Sequence, residues 1–148
     1  MSVLATTEGI GSRLASLLGV ALTVHDQSST GRVSGAVTLG EVHAATTLRD
    51  LIRTRVREEV GSYNAGPKPV FEGLVMPEGA TPVRGGFLMP RPRRIDWELQ
   101  AIQAIESFER NGFLVLVDDR QVTDLDEELA LTVDSDVRFV RLVPLVGG

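Results

Sequence analysis

Six of the seven prolines fall between Pro67 and Pro92 (Pro67, Pro69, Pro77, Pro82, Pro90, Pro92), and Gly66, Gly73, Gly79, Gly85 and Gly86 are interleaved with them. Proline fixes φ and has no N–H to donate, so long helices and central strands are excluded there. Regular structure is therefore expected to be sparse there. The stretch is nevertheless too apolar for a solvated linker, with Val70, Phe71, Leu74, Val75, Phe87, Leu88 and Met89. It is expected to fold back onto the domain or to dock to a partner, and either outcome buries part of it.

On the N-terminal side, Val20 to Asp26 alternates apolar and polar residues. Gln27 to Gly31 is a polar turn cluster, and Val33 to Leu39 resumes an extended pattern, which predicts a hairpin. Thr47 then precedes Leu48, Leu51, Ile52, Val56 and Val60, an apolar stripe at helical spacing with Asp50 placed as the acid of a capping box. A helix over about 48–60 is predicted, stopped by Gly61 and the run to Pro67. Residues 1–19 hold a weaker helical pattern in Ile10, Leu14, Leu17 and Leu18.

On the C-terminal side, Asp96 is placed to cap a second helix through Trp97, Leu99, Ile102, Ile105 and Phe108, ending at Asn111-Gly112. Phe113 to Val117 predicts a strand, Asp118-Asp119 a tight turn, and Arg120 to Val122 a short return strand. Asp124 to Leu131 predicts a turn with a helical twist, packed through Leu125 and Leu129. Val137 to Val143 predicts the last strand, ended by Pro144.

At 148 residues, 43% hydrophobic and 24% charged, the chain suits a single globular α+β domain. A net charge of -5 offers no general attraction to nucleic acid or to an anionic membrane. No apolar run is long enough for a membrane helix and no signal peptide is expected. The absence of cysteine excludes disulfides and thiolate chemistry and suits a reducing compartment, so a cytoplasmic location is expected.

Leu145-Val146-Gly147-Gly148 closes the sequence. Glycine lacks a Cβ and passes where any side chain would clash, so such an end, carried by a compact domain, can be threaded carboxylate first into another protein's catalytic tunnel. In order, the elements are hairpin, helix, strand, tight turn, short strand, irregular segment, final strand and diglycine tail. That series resembles a ubiquitin-like β-grasp protein, a mixed sheet packed on a helix. FLVLVDDRQVTDLDEELALTVDSDVRFVRLVPLVGG has the length and layout of the second half of ubiquitin. Its Asp-rich turn, its Asp136-Val137-Arg138-Phe139 strand entry and its Gly-Gly end look closer still to bacterial sulfur carriers of the molybdopterin-synthase small-subunit type.

The resemblance covers roughly 20–60 and 113–148. It leaves 1–19 as an N-terminal extension, 61–112 as an insertion carrying the Pro/Gly-rich loop and the second helix, and 144–148 as the tail of one domain. It implies adenylation of the Gly148 carboxylate by an ATP-using activating enzyme. Gly147 and Gly148 then take the diglycine roles and Leu145 and Val146 the tail lying along the enzyme's channel. The carrier supplies no catalytic group and needs no cofactor of its own.

Two outcomes of activation are open: conjugation to amines of target proteins through an isopeptide bond, with a conjugating enzyme, or a thiocarboxylate for cofactor synthesis. The lone lysine, Lys68, and the large insertion favour a modifier; the Asp-rich turn favours a sulfur carrier. A non-covalent adaptor that uses the insertion as its interface is the third reading. Leu116, Val140 and Leu142 are candidates for an outward docking patch, with core packing as the alternative. Arg84, Arg91, Arg93 and Arg94 read as a solvated basic loop. His25 and His43 stand apart from any acid cluster and give no metal or general-base site, and Asp124, Asp126, Glu127 and Glu128 lack the glycine and spacing of a calcium loop.

Overall fold

The computed structural model of the chain describes residues 19–142. The chain divides into two compact units, one made of the sequence up to Leu51 and from Phe113 onward, the other of Ile52–Gly112. The α+β class expected from the sequence is what it adopts, with two helices and a mixed sheet among the described residues. The extension read over residues 1–19 lies outside the described residues except for Gly19, as does everything after Leu142.

In the first unit, β1 (Gly19–Ser28) and β2 (Val33–His43) form the expected antiparallel hairpin. Its turn is closed by Gly31, at φ 89, whose N–H donates to the Ser28 carbonyl at 2.9 Å. The element that follows is β3 (Ala45–Thr47), and after the second unit the chain returns with β7 (Phe113–Val117), β8 (Arg120–Val122), β9 (Glu128–Ala130) and β10 (Val137–Arg141). Five strands make one sheet in the order β2-β1-β10-β7-β8. The pair β1 and β10 at its centre is parallel, and every other pair is antiparallel.

Period-two alternation decides which face is buried. Leu22, Val24, Phe113, Val115, Val122, Val137 and Phe139 share one face, and each is at most 2% exposed. The Phe113 and Phe139 rings lie 5.9 Å apart there. Full burial of one such side chain contributes roughly 1.5–3 kcal/mol, which is why the register is not free to slip. The tight turn is made by Asp118 and Asp119, with φ 50 and 66, left-handed at both central positions as a two-residue hairpin requires.

The segment from Asp124 to Leu131 departs from the expected helical twist. It makes a turn in which the Asp126 and Glu127 amides bond back to Asp124, then enters β9, which pairs antiparallel with β3. Leu125 and Leu129 are buried as expected, at 9% and 3%. Strand pairing wins because the turn brings the backbone alongside β3, whose three residues are too few to show a period.

Helix α1 (Leu48–Ala65) begins in the first unit and continues in the second. Thr47 caps it, its Oγ1 accepting from the Asp50 amide at 3.2 Å, and the Leu48 and Arg49 amides donate to the Glu127 and Leu125 carbonyls. The helix runs past Gly61, where the sequence predicts its end. Its last turn is held by the Tyr63 ring, edge-on to Phe71 at 5.4 Å, and by the Asn64 side chain on Ile95, contacts that outweigh one glycine's weak helical preference.

The rest of the second unit is β4 (Val70–Phe71), β5 (Thr81–Val83) and β6 (Gly86–Leu88), a small sheet ordered β4-β6-β5, followed by α2 (Trp97–Glu109). Regular structure in the proline-rich stretch is confined to these two- and three-residue strands, and its partial burial is realised in Phe71, Leu74 and Met89. A Cβ on Gly86 would sit 2.6 Å from the Phe71 carbonyl oxygen, so close approach of β4 and β6 requires glycine there. Asp96 caps α2 as predicted, accepting from the Glu98 and Leu99 amides, and Asn111, at φ 59, turns the chain out of it.

Candidate functional site

The tail residues Leu145, Val146, Gly147 and Gly148 lie outside the described residues. What is described is the strand that leads to them. β10 is paired along all five of its residues on both sides, with β1 and with β7, so its end at Arg141 is held in the middle of the sheet. The Arg141 guanidinium stands 3.9 Å from the carboxylate of Asp26 on β1, and Leu142, beyond the strand, is 36% exposed.

Of the patch residues, Leu116 sits on β7 opposite Arg138, and Val140 sits on β10 opposite Leu114. Cross-strand partners share a face, so Leu114, Leu116, Arg138 and Val140 lie together, opposite the face that carries Val115 and Phe139. Leu114 and Leu116 are half-buried, and Val140 is 8% exposed. Leu142 follows the end of β10 and is outside the ladder. Leu114 is the member the sequence reading omitted; its signal was the parity it shares with Leu116 in FLVLV.

Arg138 is the polar centre of that face. Its Nε lies 3.1 Å from each Asp136 carboxylate oxygen and its Nη1 donates to Gln27 Oε1 at 3.1 Å. The Asp136 bond raises the Arg138 pKa above its ordinary value, with Asp119 adding a smaller electrostatic push in the same direction. The guanidinium is thus held in an ion pair with Asp136, beside the apolar residues of the face.

His25 is paired in register with Arg138, and His43, at the end of β2, is exposed. Among the described residues no three or more His, Asp or Glu come together in a group able to hold a metal. In the second unit, Arg84, Arg91, Arg93 and Arg94 are exposed, and Arg93 Nη2 donates to the Glu78 carbonyl. Arg53 and Arg57 stand 5.4 and 5.9 Å from the centre of the Trp97 ring, a stack missed in the sequence because it joins two helices. The Pro77 loop and α2 enclose an open cavity of about 540 Å³, lined by Leu74, Met76, Phe87, Gln103, Glu106 and Arg110 among others.

No helix among the described residues is long and apolar enough to cross a membrane. Comparison with protein-family models, with curated proteins and with solved structures returns no match.

Proposed function

We propose that the chain is a ubiquitin-like β-grasp protein whose Gly148 carboxylate is adenylated by an activating enzyme and then joined to amines of target proteins. The observation that carries this reading is the strand order β2-β1-β10-β7-β8 with a parallel central pair. A β-grasp sheet has this order: the first hairpin and the last strand share the centre, and the chain leaves from the middle of the sheet. The sequence after Leu142 is apolar and carries Gly147-Gly148, which suits a narrow tail. A carboxylate at neutral pH is a poor electrophile; adenylation converts one oxygen to a leaving group while the narrow tail is held in the enzyme's channel.

The face formed by Leu114, Leu116, Arg138 and Val140, with Leu142 beside it, is the proposed docking surface for the activating and conjugating enzymes. Adenylation draws on ATP, so a cytoplasmic location is part of this proposal. Sulfur delivery through a thiocarboxylate uses the same first step and differs only in what captures the acyl adenylate.

Intact mass spectrometry of the protein from its native host tests this. It first establishes whether Gly148 carries the free carboxylate. Conjugation appears as larger adducts that vanish when Gly147 and Gly148 are deleted. Exchange of one oxygen for sulfur at the terminus, without adducts, would replace the modifier role by sulfur delivery. Unmodified mass in a host shown to express the protein under the conditions of its use would leave the adaptor reading and defeat the proposal.

A further inference from the structure

β2 is an edge strand, hydrogen-bonded to β1 on one side; among the described residues nothing pairs with its other side. A free row of N–H and C=O groups templates pairing with another chain, and proteins usually blunt such an edge with charge, proline or brevity. The opposite edge follows that rule. β8 has three residues and carries Arg120, ion-paired to Glu127. β2 does not: its residues 33–40, VSGAVTLG, have no charge and no proline. Val33 is 55% exposed, and Ser34, Gly35, Ala36, Thr38 and Gly40 are exposed as well.

Two glycines inside this strand point the same way. A Cβ added at Gly35 or Gly40 would meet no atom within 4 Å, so packing within the described chain does not require glycine at either position. Glycine inside a strand costs conformational entropy and often marks the close approach of another backbone.

We infer that β2 pairs antiparallel with β2 of a second copy of this chain, joining two five-stranded sheets into one. Three features select a second copy over a foreign strand. The run is uncharged, so self-pairing about a two-fold axis sets no like charges opposite each other. It is bounded by Arg32 and Glu41, so antiparallel self-pairing lays the Arg32 end of each strand beside the Glu41 end of the other. An isologous pair also closes both bare edges at once and leaves only the short β8 edges outside, whereas an added peptide strand would present a new edge of its own.

Sedimentation equilibrium of the full chain over a concentration series tests the pairing, together with amide hydrogen exchange of residues 33–40. The expected mass rises with concentration toward twice the 16.0 kDa of the chain, and exchange of those amides slows in parallel. Ala36→Lys, which places two lysines near the axis, is expected to weaken the dimer at least about tenfold, with thermal melting unchanged at concentrations where the chain is monomeric. Thr38→Lys, also exposed and close to the axis, gives the same readout should Ala36→Lys fold poorly. A single-chain mass throughout overturns the inference, as does a dimer that neither variant weakens. It is equally overturned if the amides of 33–40 are uniformly protected in the monomer, since the chain's own residues would then cover the edge.

Discussion

The Asn64 side chain satisfies both backbone groups of Ile95: Oδ1 accepts the Ile95 N–H at 2.8 Å, and Nδ2 donates to the Ile95 carbonyl at 2.9 Å. One amide thus ties the last turn of α1 to the segment that enters α2. Ile95 is 4% exposed, so its backbone has little access to water as a substitute partner. Asn64→Ala is expected to lower stability by about 2 kcal/mol, two lost hydrogen bonds with partners left buried. Asn64→Asp keeps the acceptor and loses the donor, and should fall between wild type and alanine. Urea unfolding followed by Trp97 fluorescence measures both, since Trp97 is the only tryptophan.

Arg55 is 0% exposed and its Nε donates to Glu59 Oε1, one turn further along α1, while Glu59 Oε2 accepts from the Leu74 amide at 3.0 Å. The pair therefore couples the helix to the start of the Pro77 loop. Taking one charge from a buried pair strands the other, so Arg55→Met is expected to cost about 3–5 kcal/mol. Arg55→Met combined with Glu59→Gln removes both charges and keeps an acceptor for Leu74. It should cost less than the two single substitutions added together, and the double-mutant cycle of unfolding free energies reads that coupling.

Why Arg55 escapes a sequence reading is instructive. In RTRVREE it looks like one of several solvated charges, yet it falls on the stripe of Leu48, Leu51, Ile52, Val56 and Val60. Its signal was the acid four residues on, within the same stripe. Elements that carry their own local chemistry were legible: Asp96 with the α2 pattern, the FLVLV alternation, and the Asp118-Asp119 turn. Those stabilised by distant partners were not. β3 and β9 have three residues each and exist through their mutual pairing, and the passage of α1 through Gly61 depends on Phe71 and Ile95. In the candidate docking face, alternation along the last strand is enough to set Val140 on the face opposite Phe139. Only the cross-strand register could add Leu114 and put Arg138 among them.

Asp119 has φ 66, a conformation that costs a residue with a Cβ about 1–2 kcal/mol. Asp118 also has positive φ, but its backbone and side chain serve the turn. Its N–H donates to the Asp136 carbonyl at 2.8 Å, and its Oδ1 accepts the Asp136 amide at 2.9 Å. Asp119→Gly is therefore expected to raise stability by about 1 kcal/mol, and Asp118→Gly to gain less or to lose. Thermal melting of the two variants side by side checks the contrast.

The Glu127 pKa lies below the ordinary glutamate value because Arg120 hydrogen-bonds its carboxylate, the Nη2 to Oε2 distance being 2.6 Å. A depressed folded-state pKa stabilises the fold above the unfolded value, and that contribution is lost as pH falls through the folded one. The Arg120 pKa is raised by the same bond, so its own contribution is lost only in strong alkali. Both side chains are open to solvent, 60% and 33% exposed, so screening keeps the effect small. The urea midpoints of wild type and Arg120→Ala should therefore coincide at pH values where Glu127 is protonated in both states. They should separate as pH rises through the glutamate range, wild type being the more stable, and added salt should narrow the gap. A gap that instead widened toward acid would mean that Arg120 acts through some other group.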